Sequence, residues 1–202
     1  VRITIGSFNL SQMPSIIKTI ENTGLKRFAV CQHIEGSDWK AVKEERREII
    51  DFLIDYAMKN PEMEVVTEQL YDDGVYLLQR VAESDPELAA EMEKLLVRQG
   101  GCPAGDRIVN VDNRGNVHLC PYWQDRTIGN IREQKLSDIC FDEENEILTM
   151  MKDKTQYLKG KCGRCMYKHL CRGCGARAEE MCGDLFGADP ACYLTEEEVA
   201  TA

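Results

Sequence analysis

Seven of the ten cysteines form one ordered pattern: Cys102, twelve residues, Gly115, four residues, Cys120; then Cys162-x2-Cys165-x5-Cys171-x2-Cys174; then Cys192. Thiolate sulfur is the donor that soft metals and iron-sulfur clusters select. Two Cys-x2-Cys pairs this close put four sulfurs within reach of one small inorganic core. Disulfides are the other use of so many cysteines, but they belong to secreted chains, and no charged-then-apolar leader opens this sequence. Metal is therefore the stronger reading. A structural zinc site is the chemical competitor, since zinc accepts four thiolates. Zinc knuckles need a longer excursion than Met166 to Leu170 between the pairs, and Cys102, Cys120 and Cys192 would be left unused.

The charge around these cysteines supports an anionic occupant. The net charge is −10, which disfavours nonspecific nucleic-acid binding. Yet Lys154, Lys159, Lys161, Arg164, Lys168, Arg172 and Arg177 fall in one stretch that contains no Asp or Glu. Cations beside a four-thiolate cluster lower the thiol pKa values and stabilise the loaded site. Arg172 and Arg177 are also candidates for contact with a carboxylate-bearing substrate, because guanidinium matches carboxylate in a bidentate fork. Simple charge balance of the cluster is the alternative for both.

The remaining candidates are weaker. Cys31 reads as a small buried hydrophobe, Cys140 and Cys182 lie outside the pattern, and Cys182 is a fallback ligand. His33 falls at a strand end where parallel sheets place ligands. His118 alternates with Val117 and Leu119 and is expected to face solvent, while His169 is placed for a hydrogen bond to a thiolate. Met150 and Met151 read as core filler. Glu68, Asp72 and Asp73 near a strand end could move protons or place substrate, but read as solvated loop carboxylates.

The elements that must position these residues fall into two styles. Val1–Ile5 alternates like a strand, and Ser11 precedes a helix with Pro14 in its first turn that stops at Gly24. Leu25–Ile34 is an apolar run of the kind buried on both faces of a parallel sheet. A helix over 38–60 carries Val42, Ile49, Leu53 and Tyr56 on one stripe, and a strand over 63–67 follows. Strand, helix, strand, helix, strand predicts a right-handed βαβαβ unit. Helices are predicted over 74–83 and 86–98, the latter gathering Leu88, Met92, Leu95 and Leu96, before Gly100-Gly101 breaks the pattern. Beyond it, 107–112 and 116–120 flank Asn113-Arg114-Gly115 as a hairpin, and 142–152 reads as a helix. From Gly160 the tract has little periodicity and is expected to be held by metal more than by a core. No apolar run approaches a bilayer span.

With the phrases Gly-Gly-Cys-Pro-Ala-Gly at 100–105, Gly-Asn-Val-His-Leu-Cys-Pro at 115–121, Ile-Gly-Asn-Ile-Arg at 128–132 and Asp-Pro-Ala-Cys-Tyr-Leu at 189–194, the pattern resembles the SPASM domain of radical SAM enzymes. The wording is most similar to the sirohaem-pathway enzymes that remove acetate side chains from didecarboxysirohaem and to their relatives in haem synthesis, with the haem synthase that decarboxylates iron-coproporphyrin as a near neighbour. The two residues between Cys171 and Cys174, where that family uses three, are a departure. The resemblance implies an α/β fold: a partial, half parallel β/α barrel over 1–83, a linker helix over 84–100, and a small Cys-rich SPASM-type α+β domain with a hairpin over 101–202. It implies that Cys162, Cys165, Cys171 and Cys192 hold one auxiliary [4Fe-4S] cluster. Cys102, Cys120 and Cys174 would hold a second, whose fourth ligand the pattern does not name. One cluster alone is the alternative.

Radical SAM chemistry also requires a Cys-x3-Cys-x2-Cys loop, and no such triplet occurs in these 202 residues. Together with the strand-like start, this predicts the C-terminal part of a longer cytoplasmic enzyme. The preceding part would supply S-adenosylmethionine and a further 4Fe-4S cluster. The implied partners are an anionic tetrapyrrole substrate and a reduced ferredoxin- or flavodoxin-type electron donor, with no nucleic acid and no membrane. A SPASM enzyme acting on a peptide is the runner-up. A stand-alone ferredoxin-like carrier is the rival from another class, but it would leave the βαβαβ segment unexplained.

Overall fold

The structure, a computed structural model, describes residues 1–6, 8–32, 39–68 and 71–200, with the backbone alone at 32 and 39–42. His33, Ile34, the predicted helix start at 38 and the side chain of Val42 lie outside the described residues. The chain divides into two compact units, Val1–Glu93 with Pro190–Thr195, and Lys94–Asp189 with Glu196–Ala202.

In the first unit, β1 (Arg2–Ile5), β2 (Arg27–Gln32) and β3 (Glu64–Glu68) form a three-stranded parallel sheet in the order β1-β2-β3. Ile3 pairs with Val30, and Val30 in turn with Thr67. Parallel neighbours need long crossovers, supplied by α1 (Met13–Asn22) and α2 (Trp39–Lys59). Gly24 turns the chain out of α1 with φ +76°, a conformation that costs glycine little. Ile5, Phe28, Ile49 and Leu53 are buried at the centre, and Phe28 lies 5.9 Å from the Tyr56 ring.

Two predicted features of this unit are corrected. Asp72 and Asp73 are not solvated: they open α3 (Asp72–Ala82) and are buried. Arg46, 1 % exposed, donates from Nε to Asp73 Oδ1 at 2.9 Å, and the Tyr193 hydroxyl donates to the same oxygen at 3.2 Å. Buried charge persists where it is paired and hydrogen-bonded, so Asp73 anchors α3. Burial, followed by the charges of Asp73 and Asp72, pushes the Tyr193 phenol far up, so it stays a donor. In α4 (Pro86–Gln99) the expected apolar stripe does not form a core: Leu88 and Leu95 are exposed, and Ala89 is the buried position. Glu68 pairs with Arg2 at 2.7 Å across the sheet.

The second unit is built on β4 (Asn110–Val111), β5 (Asn116–His118) and β6 (Thr127–Asn130), an antiparallel sheet in that order. The predicted hairpin is present but shorter, and Gly115 holds φ +88° at its turn. Strand β6 was not foreseen. Helices α5 (Leu136–Cys140) and α6 (Glu146–Lys152) follow, the latter starting later than predicted because the Asn145 side chain caps it at the Leu148 amide, 3.2 Å away. The Cys/Gly tract is not irregular throughout. It folds into α7 (Gly160–Arg164), α8 (Lys168–Cys171) and α9 (Gly175–Cys182), with α10 (Glu196–Ala200) at the end. Leu119, Trp123, Leu148, Met151 and Phe186 form its core around Cys102 and Cys120.

Candidate metal centre

Cys102 reaches its place because the backbone ahead of it lies flat on α8. Gly100 and Gly101 both have positive φ, and the Cys102 amide donates to the Cys171 carbonyl at 3.0 Å. A Cβ on Gly101 would stand 2.4 Å from that carbonyl oxygen, so only glycine permits the approach. Arg107 locks the turn from the other side, with Nη2 donating to the Gly100 and Gly101 carbonyls at 2.8 Å each. Cys120 follows β5 and borders the core.

The step from Cys171 to Cys174 is made by two consecutive left-handed residues, Arg172 (φ +65°) and Gly173 (φ +55°). Arg172 is the non-glycine residue with positive φ among those described, and its side chain is why it can hold that conformation. Its guanidinium donates to Asp106 Oδ2 and to the Met151 carbonyl, both at 2.6 Å, and to the Lys152 carbonyl at 3.1 Å. Gly173 brings its backbone against Cys162, where a Cβ would lie 3.2 Å from Sγ.

Asp189 ties the two halves of the motif together. Its amide donates to Cys162 Sγ at 3.3 Å, and its carboxylate accepts from the Cys174 amide at 3.0 Å. Arg177 completes this node, with Nε to Oδ1 at 2.9 Å and Nη2 to Oδ2 at 2.6 Å. Both arginines singled out in the sequence therefore direct their donors to protein oxygens, Arg177 forking the Asp189 carboxylate and Arg172 dividing its own between Asp106 and two main-chain carbonyls.

The sulfurs share an electrostatic environment. Cys120 and Cys174 each feel Cys102, and Cys162 feels Cys165. Burial raises the thiol pKa of Cys120, Cys162 and Cys165, and that of Cys174 to about 11. Main-chain amides oppose this: those of Tyr122, Asp189, Tyr167 and Arg177 donate to the sulfurs of Cys120, Cys162, Cys165 and Cys174 respectively. Amide-to-sulfur hydrogen bonds stabilise thiolates, and they are among the levers that tune iron-sulfur clusters. None of the ten cysteines is joined in a disulfide. Among the described residues no three Cys, His, Asp or Glu side chains converge tightly enough to hold one ion. A cluster offers each thiolate its own iron, so its donors stand farther apart than those of a single ion. Buried, amide-bonded thiols in two electrostatically linked groups fit such a cluster. Cys192 belongs to the 190–195 segment of the first unit.

The other candidates lie apart from this chemistry. Cys31 is buried in β2, 3.4 Å from Thr4 Oγ1, while Cys182 is exposed. His169 sits on the Met166 carbonyl at 3.1 Å through Nδ1. His118 does not face solvent: it is 2 % exposed, with Nδ1 3.2 Å from the Arg126 carbonyl and Nε2 3.5 Å from Asp112 Oδ2. The cause is a register irregularity between Val117 and His118, so that both side chains are covered. Desolvation acts to raise the Asp112 carboxyl, but hydrogen bonds from Asn116, the Arg114 amide and His118 outweigh it and hold the pKa at about 2. Sequence reasoning missed Asp106 and Asp189, the acceptors that fix Arg172 and Arg177. The signal for Asp189 was its place three residues before Cys192.

Residues 102–166 match the SPASM family, an iron-sulfur cluster-binding domain; Cys171, Cys174 and Cys192 lie beyond the matched span. The chain is 32% identical to Fe-coproporphyrin III synthase of Methanosarcina barkeri, over 98% of this chain and 53% of that protein. It is 30% identical to pre-heme d1 synthase of Dinoroseobacter shibae, over 100% of this chain and 53% of that protein. An AdoMet-dependent heme synthase of Methanosarcina barkeri is 40% identical over 46% of this chain and 25% of its own length. The chain thus spans about half the length of the first two relatives. Crystal structures of Streptococcus suis SuiB share the fold. With S-adenosylmethionine bound the TM-score is 0.62 at 16% identity, and with the precursor peptide SuiA it is 0.61 at 17%, each covering 96% of this chain and 44% of SuiB. No helix among the described residues is long and apolar enough to cross a membrane. Over 102–166 the chain thus carries a SPASM-type iron-sulfur cluster-binding domain, and along its length it is similar to about half of each of two proteins named Fe-coproporphyrin III synthase and pre-heme d1 synthase.

Proposed function

We propose that this chain is the C-terminal portion of a radical SAM/SPASM enzyme that removes carboxylate-bearing side chains from a modified tetrapyrrole, and that its cysteines hold the auxiliary cluster or clusters. The observation that carries this reading is the burial of amide-bonded thiols, drawn from separate elements, in a chain whose full-span relatives are named for tetrapyrrole synthesis. On this reading Cys162, Cys165, Cys171 and Cys192 hold one [4Fe-4S] cluster, and Cys102, Cys120 and Cys174 a second. The parallel sheet is half of a β/α barrel over 1–83, joined by α4 to the SPASM-type domain over 101–202.

When bound, such a cluster supplies one-electron chemistry at a potential set by its surroundings. The protein's own part is to bind, orient and screen. Main-chain amides stabilise the thiolates, the Leu119–Trp123–Met151 core excludes water, and Asp189 and Asp106 hold the arginines that fix the turn carrying Cys174. On this reading Arg172 and Arg177 are positioning residues of this frame, a role their protein partners support better than a substrate clamp. A reduced ferredoxin- or flavodoxin-type protein would be the electron donor, and the cytoplasm the compartment.

Anaerobic reconstitution of the polypeptide carrying this chain, with iron and sulfide counts and EPR, tests the cofactor. A colourless protein with stoichiometric zinc would sink it. Binding of iron-coproporphyrin or didecarboxysirohaem, followed by Soret titration, tests the substrate class. Saturable binding of neither, with turnover of a peptide instead, would transfer the assignment to peptide chemistry.

A further inference from the structure

Lys154 is the anomaly of the second unit. It opens a 3-10 turn at 154–156, yet its side chain is 1 % exposed and ranks among the largest that are fully buried. An ammonium has three donors and a strong demand for a compensating negative charge when taken out of water. One donor goes to the Gly173 carbonyl at 2.9 Å. Among the described residues no carboxylate lies within salt-bridge distance of it. The other buried Arg and Lys side chains among the described residues do have carboxylates: Arg46 has Asp73, and Arg172 has Asp106.

What the Lys154 charge does act on is sulfur. Its charge acts on Cys120, one of the Cys102–Cys120–Cys174 group, and also on Cys162, of the Cys162–Cys165 group. The carbonyl it grips belongs to Gly173, whose α-carbon faces Cys162 Sγ and whose next residue is Cys174. The ammonium therefore stands where the two sulfur groups meet. Neutral thiols cannot compensate a buried cation, but thiolates bound to iron carry net negative charge that can.

We propose that Lys154 is a fixed internal counter-charge shared by the iron-sulfur sites, and that it raises their reduction potential. The inference rests on the cluster assignment above. Its sign follows from charge alone: reduction adds an electron to an already anionic centre, and a buried cation favours the more negative state. Lys154 is a positioning and tuning residue, and not a catalytic one.

The test uses the anaerobically loaded full-length polypeptide, with midpoints read by EPR-monitored redox titration. Lys154→Met and Lys154→Gln are expected to disfavour reduction of an auxiliary cluster at least tenfold, a shift of about 59 mV to more negative potential for a one-electron couple. Lys154→Arg should stay near the parent. Lys159→Met, which removes an exposed cation paired with Asp184 at 2.6 Å, should leave the midpoint unchanged. Unchanged midpoints in both neutral variants would overturn the proposal. So would failure of both to fold, since the ammonium would then serve only to hold Gly173. A parent protein that takes up no iron would instead refute the cluster assignment itself.

Discussion

The main-chain amide of Asp189 points at Cys162 Sγ from 3.3 Å, while the carboxylate of the same residue accepts from the Cys174 amide and from Arg177. One residue thus holds a cysteine from each group, Cys162 by its sulfur and Cys174 by its main chain. Removing a buried partner leaves the other charge uncompensated, at a cost of about 3 kcal/mol or more. Asp189→Ala should lower stability by that order in urea denaturation of the loaded protein. Asp189→Asn, which keeps one side-chain acceptor, should lose less. Equal, small losses in both would show that the carboxylate does not hold Arg177.

Gly101 and Gly24 have similar positive φ values but opposite surroundings. A Cβ on Gly101 meets the Cys171 carbonyl at 2.4 Å, whereas nothing lies within 4 Å of one on Gly24. Gly24→Ala should cost about 1 kcal/mol, the backbone term alone. Gly101→Ala should cost about 3 kcal/mol and reduce iron uptake, because Cys102 can no longer dock on α8. Comparing the two melting curves and iron contents checks this, and identical behaviour would refute the close-approach argument.

Arg46 and Asp73 should behave as a buried pair. Arg46→Met leaves Asp73 charged and buried, and should destabilise by about 3 kcal/mol. The double replacement Arg46→Met with Asp73→Leu should recover much of the loss. A double-mutant cycle in denaturant measures the coupling, and purely additive losses would mean the pair contributes no mutual stabilisation.

Glu179 gives a pH dependence with a defined sign. Hydrogen bonds from Arg126, then from Trp123 Nε1 at 2.7 Å, hold its carboxyl below the ordinary value of 4.5, against the opposing pull of desolvation. A group whose pKa is lowered on folding contributes stability that is complete above its unfolded pKa and is lost as pH falls through the folded one. The loss should begin near pH 4.5 and continue below it. Glu179→Gln should lower stability at pH 7 by about 1.5 kcal/mol and flatten that acid limb, with Trp123 fluorescence as a local reporter.

Much of this architecture could be read from the sequence where the information is local. Cysteine spacing is local, and so are the apolar runs of β1 to β3 and the glycine that ends α1. What escaped was set by distant partners. Strand β6 is short and contains Gly129, whose missing side chain makes room for Ile139; a Cβ there would lie 2.9 Å away. His118 alternates correctly for an outward residue, but the register slip against β6 and the Arg126 carbonyl enclose it. Lys154 resembles any turn lysine until its depth is measured. Asp73 reads as a loop carboxylate because its counterion stands on α2, twenty-seven positions earlier.

The hold that Asp189 has on cysteines of both groups also bears on how the proposed iron-sulfur sites would fail. If oxygen strips iron from one site and its thiols relax, Asp189 moves, and with it the amide or acceptor on which the neighbouring site depends. Damage would then proceed as a single cooperative collapse, with partly demetallated protein scarce at every stage of inactivation in air.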